Sequence, residues 1–156
     1  LSDKQIAQFL HRSYTAVDGL WFMKIEEKYG FDIALEIDNE VWKIMPKIQA
    51  HMLKSMGKME SGMEALFKLF TTKLTLDGFE YKTEKSDSGF RVIISRCPWY
   101  DLMVNSERES LAEKVGTLIC GTEYSGWASE FGDDIRFQLE CQICKGSESC
   151  ILNFSR

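Results

Sequence analysis

The clearest structural pattern of this chain lies at residues 135–154, IRFQLECQICKGSESCILNF. Apolar and polar residues alternate over 135–141, and Cys150, Leu152 and Phe154 occupy every second position over 150–154. Since successive side chains of a strand point to opposite faces of a sheet, this alternation predicts two strands with one apolar face each. The turn between them contains Cys144. We therefore expect a C-terminal β-hairpin that carries cysteines.

The first half of the chain has the three- to four-residue period of amphipathic helices. One long helix is predicted from Ser2, which can form a capping box with Gln5, to Gly30. A second has Asp32 as its N-cap and is expected to be kinked or split by Pro46. The apolar face of this second helix consists of Ile33, Ile37, Val41, Ile44, Ile48, Met52 and Met56. A polar break then precedes a shorter third helix.

From Leu74 the period drops to two. Strands are predicted over 74–83 and 90–95, joined by a turn-rich connection. We therefore expect a single domain over residues 1–156, with a helical half over 1–73 and a mixed half over 74–156.

Helical segments return between the two hairpins. Pro98 suits the first turn of a short helix, and Ser106 with Glu109 predicts a capping box for a helix to about Ile119. A separate helical piece is predicted over 124–130.

Composition excludes two classes of partner. With 19 Lys and Arg against 24 Asp and Glu, the net charge is −5, and no basic cluster offers to neutralise phosphates, so we expect no nucleic-acid partner. No apolar stretch approaches the roughly 20 residues that span a bilayer, and no signal peptide is recognisable. We expect a cytoplasmic protein without a membrane partner.

Four cysteines have a spacing that suits a soft metal. They follow the pattern Cys120-x20-Cys141-x2-Cys144-x5-Cys150, and Zn²⁺ commonly takes four thiolates in this way. Alternation puts Cys141 and Cys150 on the inner faces of paired strands, Cys144 in the turn, and Cys120 at the predicted end of a helix. Zinc is the first choice, and an iron–sulfur cluster, which also uses four thiolates, is the alternative. The alternative interpretation, inert core cysteines, suits any single one of them.

Cys97 stands apart because it precedes Pro98 and is expected to be the N-cap of the following helix. The positive end of that helix would favour its thiolate. It is a candidate nucleophile or alternative metal ligand, and equally a small half-buried side chain. No hydrolase, P-loop or dinucleotide motif occurs in the chain. Glu123 is the best-placed candidate acid.

Several segments resemble a known family. They are Cys97-Pro98-Trp99, Cys120 with Glu123-Tyr124, Gly146, Cys150-Ile151-Leu152-Asn153-Phe154, Asp18-Gly19-Leu20-Trp21-Phe22 and Ala34-Leu35-Glu36-Ile37-Asp38. The chain resembles the L-2-amino-thiazoline-4-carboxylic acid hydrolase family, in particular an uncharacterised five-cysteine prokaryotic branch. It is more distantly similar to the 4-vinyl reductase domain, a hydrocarbon-binding module.

The resemblance implies an α+β fold: N-terminal long helices packed on a twisted antiparallel sheet of about four strands, with a C-terminal cysteine-bearing hairpin. It also implies a homodimer and a pocket for a small apolar or aromatic ligand. In the sensor versions of the distant relative, zinc ligands correspond to Cys120, Cys141, Cys144 and Cys150, with Cys141 in place of an acid. The resembling segments contain the aromatic residues that we name as ligand-binding candidates, although such residues more often form ordinary core: Trp21, Phe22, Trp99, Tyr124 and Trp127.

Two functions follow as expectations. The first is a zinc-binding, all-thiolate domain that holds a small molecule. The alternative is a hydrolase of the thiazoline-carboxylate type that uses Cys97 or a metal-activated water, with Glu123 as a further candidate.

Overall fold

Five helices and four strands make up the structure, a computed structural model that describes residues 1–156. The elements are α1 (Asp3–Tyr29), α2 (Phe31–Gly57), α3 (Met63–Asp77), β1 (Glu80–Ser86), β2 (Gly89–Arg96), α4 (Pro98–Asn105), α5 (Glu109–Ser129), β3 (Arg136–Cys141) and β4 (Cys150–Ser155). A 3₁₀ turn, Ile143–Lys145, lies between β3 and β4. The predicted α+β class is confirmed. The chain forms two compact units, Leu1–Val41 and Trp42–Arg156.

The first unit contains α1, which begins and ends where the sequence predicts. The Ser2 hydroxyl accepts a hydrogen bond from the Gln5 N–H at 3.3 Å, and the Gln5 side chain accepts one from the Ser2 N–H at 2.8 Å. This is a complete capping box. At the other end Gly30 donates its N–H to the Glu26 carbonyl. No residue of α1 is buried.

The sequence predicts that Pro46 kinks or splits α2, and the structure shows that the helix is not split there. A proline removes one backbone hydrogen bond, and packing offsets that loss here because Pro46 is fully buried. A Cβ on Gly126 of α5 would lie only 3.1 Å from the Pro46 ring. Glycine at 126 therefore lets α5 approach α2 at the proline.

The four strands form one antiparallel sheet in the order β1-β2-β4-β3. Both predicted hairpins are present, but β1 begins at Glu80 rather than at Leu74. Leu74 to Asp77 instead continue α3, because Leu74 is fully buried on the inner face of that helix. Gly78, with φ +84°, ends the helix.

The core of the second unit lies between the sheet and helices α3 and α5. Phe70 is at its centre, with ring centroids 5.0 Å from Phe154, 5.6 Å from Trp127 and 5.5 Å from Tyr124. Phe154 also pairs in register with Phe90 and Phe137 on the two neighbouring strands. Aromatic side chains at these distances prefer the edge-to-face contacts seen around Phe70.

Helix α5 is continuous, whereas the sequence predicts two helices with a break near Cys120. Ser106 follows α4 and does not cap α5, whose N-cap is Arg108. Residues 120–123 are helical, and Glu123 among them is buried and paired with Lys73. None of the five helices combines the length and the apolar character that a bilayer crossing requires.

Candidate functional site

Cys97 is the N-cap of α4, as predicted, and Pro98 begins the helix. Its side chain makes no capping hydrogen bond. Burial raises the pKa of the Cys97 thiol, while the nearby backbone N–H groups of Tyr100 and Trp99 act in the opposite direction without outweighing it. The helix N-terminus was expected to favour the thiolate, but burial outweighs that effect and favours the protonated thiol. Desolvation destabilises the thiolate here by more than the helix N-terminus stabilises it.

Cys120 lies inside α5, not at a helix end as expected. It is partly buried and packs against the core of the second unit. Burial, and then the neighbouring Cys97, Glu123 and Cys150, raise the pKa of this thiol well above its ordinary value. The thiol is therefore protonated at neutral pH as long as no cation is bound.

Cys144 lies in the 3₁₀ turn and contacts α5 at Gly116. A Cβ on Gly116 would lie 2.7 Å from the Cys144 Sγ, so no larger residue fits without movement. The Gln142 side chain reinforces this contact by donating from Nε2 to the Gly116 carbonyl at 3.0 Å. Since Gly116 and Cys120 are four residues apart, the turn docks one helical turn from the Cys120 thiol.

Cys150 begins β4 and accepts a hydrogen bond at its Sγ from the Ile143 backbone N–H at 3.2 Å. Burial is the main cause that raises the pKa of Cys150 to about 12, and this N–H group opposes it. Backbone N–H groups aimed at cysteine sulfur stabilise thiolate, as they do around bound metals.

Cys141 differs from Cys150. A register shift follows Leu139, so Cys141 lies opposite Ile151 rather than opposite Cys150. Its thiol donates to the Ser149 carbonyl at 3.2 Å. It is half-buried, and it is not among the cysteines that pack on the core.

The structure brings four thiols into one region, and we call Cys97, Cys120, Cys144 and Cys150 the thiol cluster. Among the other thiols Cys97 raises the pKa of both Cys120 and Cys150 most, and on Cys150 it acts more strongly than Cys141 does. Cys97, Cys120 and Cys150 also pack on the same core. No three His, Cys, Asp or Glu side chains are already arranged around a common metal position.

Glu123 lies one helical turn from Cys120 and forms a buried ion pair with Lys73 of α3. The Lys73 Nζ is 2.5 Å from the Glu123 Oε1 and 3.2 Å from the Asp77 Oδ2. Burial works against the charge on Lys73, but Glu123 and Asp77 outweigh it and raise the Lys73 pKa. Lys73 therefore keeps its positive charge at neutral pH.

Lys73 was missed from the sequence, although a signal was present. Its place three residues after Phe70, on the face that also carries Leu66 and Leu74, puts one charged residue in line with core residues. A lysine there needs a buried carboxylate, and Glu123 was the candidate.

The five candidate ligand-binding aromatics fall in different surroundings. Trp21 is 67% exposed, and Phe22 has an edge contact with Phe31. Trp99 packs edge-on against Trp42, at 5.9 Å between centroids, while Tyr124 and Trp127 are buried in the core.

A cavity of about 420 Å³ lies between the start of α3 and the β1–β2 turn. Its lining includes Phe67, Lys85 and Arg156, and none of the five candidate aromatics. Tyr124 and Trp127 thus fill space in the core rather than line this cavity.

Comparison with curated proteins and with solved structures finds no match. A family profile, described as a family of unknown function, matches residues 2–154, which is nearly the whole chain. The chain therefore belongs to the family of unknown function DUF6125.

Proposed function

We propose that this protein is a metal-binding domain in which cysteine thiolates hold a zinc ion that ties α5 to the C-terminal hairpin. The observation that carries the proposal is the contact between Cys144 and Gly116. This contact places the Cys144 thiol against α5, the helix that carries Cys120. A side chain at position 116 would keep the thiol away from the helix. Glycine at that point is what a shared site between turn and helix requires.

The donor chemistry fits a soft metal. The thiols come from α5, the 3₁₀ turn, the start of β4 and the N-cap of α4. Burial disfavours all four thiolates, and repulsion from the other thiols adds to this at Cys120 and Cys150. A divalent cation would remove that repulsion, because zinc binds the deprotonated sulfur. The Ile143 N–H, already directed at Cys150, would then support a thiolate ligand.

Cys97 is our choice as the fourth ligand beside Cys120, Cys144 and Cys150. It packs on the same core as Cys120 and Cys150, whereas the Cys141 thiol is engaged with the Ser149 carbonyl. A closed site of four thiolates leaves no open position for water, so the expected role is structural. The zinc would supply cross-linking and charge neutralisation.

The metal proposal is tested by purifying the reduced protein anaerobically and following thermal unfolding with and without a strong chelator. We expect about one zinc per chain, with a clear loss of stability on chelation and in Cys144→Ser. The proposal would be overturned if the purified protein contained no metal and its thermal stability changed with neither added zinc nor chelator. Iron in the purified protein, together with visible thiolate-to-iron absorption, would indicate an iron–sulfur cluster in place of zinc.

The alternative, a hydrolase that uses Cys97, needs a reactive thiolate at neutral pH. The raised pKa of Cys97 works against it. Tyr124 and Trp127 are packed core residues, so they do not support a ligand pocket.

A further inference from the structure

Helix α2 carries a long apolar face that is exposed along its length. The seven residues predicted to form one face of this helix are all exposed, by 40 to 72%. They are Ile33, Ile37, Val41, Ile44, Ile48, Met52 and Met56. The opposite face, with Trp42, Pro46 and Ala50, is the buried one. At 1.5 Å per residue the apolar stripe is about 35 Å long.

Charges on α2 are separated along its length. All its acidic residues lie in the first part, at Asp32, Glu36, Asp38 and Glu40. All its lysines lie in the second part, at Lys43, Lys47 and Lys54. The helix thus has one acidic end and one basic end, so a complementary partner would be acidic where α2 is basic. A second copy of α2 in the opposite direction has that distribution.

The position of these charges around the helix adds a second constraint. At 100° per residue, Glu36, Glu40, Lys43 and Lys47 fall along the same edge of the apolar stripe, and all four are exposed. Parallel pairing would bring opposite edges of two helices together. A twofold axis perpendicular to the helices brings the same edge of both together, acidic part against basic part.

We propose that α2 is the contact surface between two copies of this chain, which pair antiparallel through the apolar stripe with Glu36 and Glu40 of one copy alongside Lys43 and Lys47 of the other. The contact is isologous, so it closes as a dimer and leaves no free stripe for further copies. One helix pair is small for a protein interface, so we expect a dissociation constant in the micromolar range. Because the flanking charges are exposed, the dimer should weaken with added salt.

The test uses the whole reduced chain in sedimentation velocity at several concentrations. Two variants are made, Glu36→Lys with Glu40→Lys, and Lys43→Glu with Lys47→Glu. In each variant the four charged residues along the edge of the stripe all have the same sign, so two copies of that variant repel each other there. Each variant alone should therefore dimerise at least tenfold more weakly than wild type. An equimolar mixture of the two should restore a dimer of wild-type affinity.

A matched control, Lys4→Glu with Lys82→Glu, makes the same change in net charge as Lys43→Glu with Lys47→Glu but lies away from α2, and it should leave the dimer intact. Ile44→Lys with Ile48→Lys should abolish the dimer while circular dichroism stays unchanged, since both residues are exposed. A monomer at all concentrations, or a dimer that every α2 variant retains, would overturn the proposal. So would variants that fail to recover on mixing, which would indicate another binding partner for the stripe.

Discussion

Gly116 of α5 and Cys144 of the 3₁₀ turn touch so closely that a single added methyl group at 116 would lie 2.7 Å from the sulfur. This contact joins the helix to the hairpin at the thiol cluster. Gly121, five residues further along the same helix, has no atom within 4 Å of the corresponding position. The two glycines form a matched pair for measuring what the contact contributes.

Gly116→Ala should destabilise the protein by about 1–3 kcal/mol, because the turn must move away from α5. Gly121→Ala should instead be neutral or stabilise by about 0.5–1 kcal/mol, since alanine is the better helix former. Urea unfolding of both variants under reducing conditions measures the two free energies. Equal changes in unfolding free energy for the variants at 116 and 121 would show that the contact between the turn and the helix does not affect stability.

The buried ion pair predicts a second difference. Lys73→Met leaves Glu123 and Asp77 without their cation and should cost about 3–5 kcal/mol of unfolding free energy. Adding Glu123→Leu should recover much of that loss, because a buried pair is expensive to break but not to replace.

Lys68→Met on the same helix is the control for the ion pair. That lysine is largely exposed and should change stability by no more than about 0.5 kcal/mol. If Lys73→Met proved as mild as Lys68→Met in the same unfolding series, the pair would contribute little to stability.

The same lysine predicts a dependence on alkaline pH. The folded pKa of Lys73 is raised above its ordinary value of 10.5, so its contribution is fully present below that pH. It is lost as the pH rises through the folded pKa. The difference in unfolding free energy between wild type and Lys73→Met should therefore stay constant through mildly alkaline pH and shrink above about 10.5. A difference that already shrinks near neutral pH would contradict this assignment.

The thiol chemistry of Cys97 gives a fourth prediction. Since burial raises its pKa, iodoacetamide at about pH 7.5 should modify Cys97 in the folded, metal-free protein much more slowly than in the urea-unfolded chain. Peptide mass spectrometry identifies which thiol reacts. Rapid, selective modification of Cys97 in the folded state would instead revive the hydrolase alternative.

Local patterns predicted much of this fold from the sequence. The capping box at Ser2, the stop at Gly30, the N-cap at Cys97 and the C-terminal hairpin all depend on neighbours in the chain, and all are confirmed. Errors arose where tertiary packing overrides local signals. Pro46 stays within a helix because it is buried, and Leu74 to Asp77 stay helical because Leu74 faces the core.

The site was predictable only in part for the same reason. Spacing grouped Cys120, Cys141, Cys144 and Cys150, but the register shift after Leu139, which places Cys141 opposite Ile151, could not be read from alternation. Neither could the pairing of Lys73 with Glu123, since the two residues are 50 positions apart. The exposed face of α2 was visible as a stripe, but a stripe by itself does not tell whether core or partner covers it.

The zinc content of the anaerobically purified variants Cys97→Ser and Cys141→Ser tests most directly whether Cys97, Cys120, Cys144 and Cys150 together hold a zinc ion. We predict that Cys141→Ser retains about one zinc per chain, as wild type does, while Cys97→Ser loses most of it. Zinc lost from Cys141→Ser but kept by Cys97→Ser, or absent from all three proteins, would contradict the account.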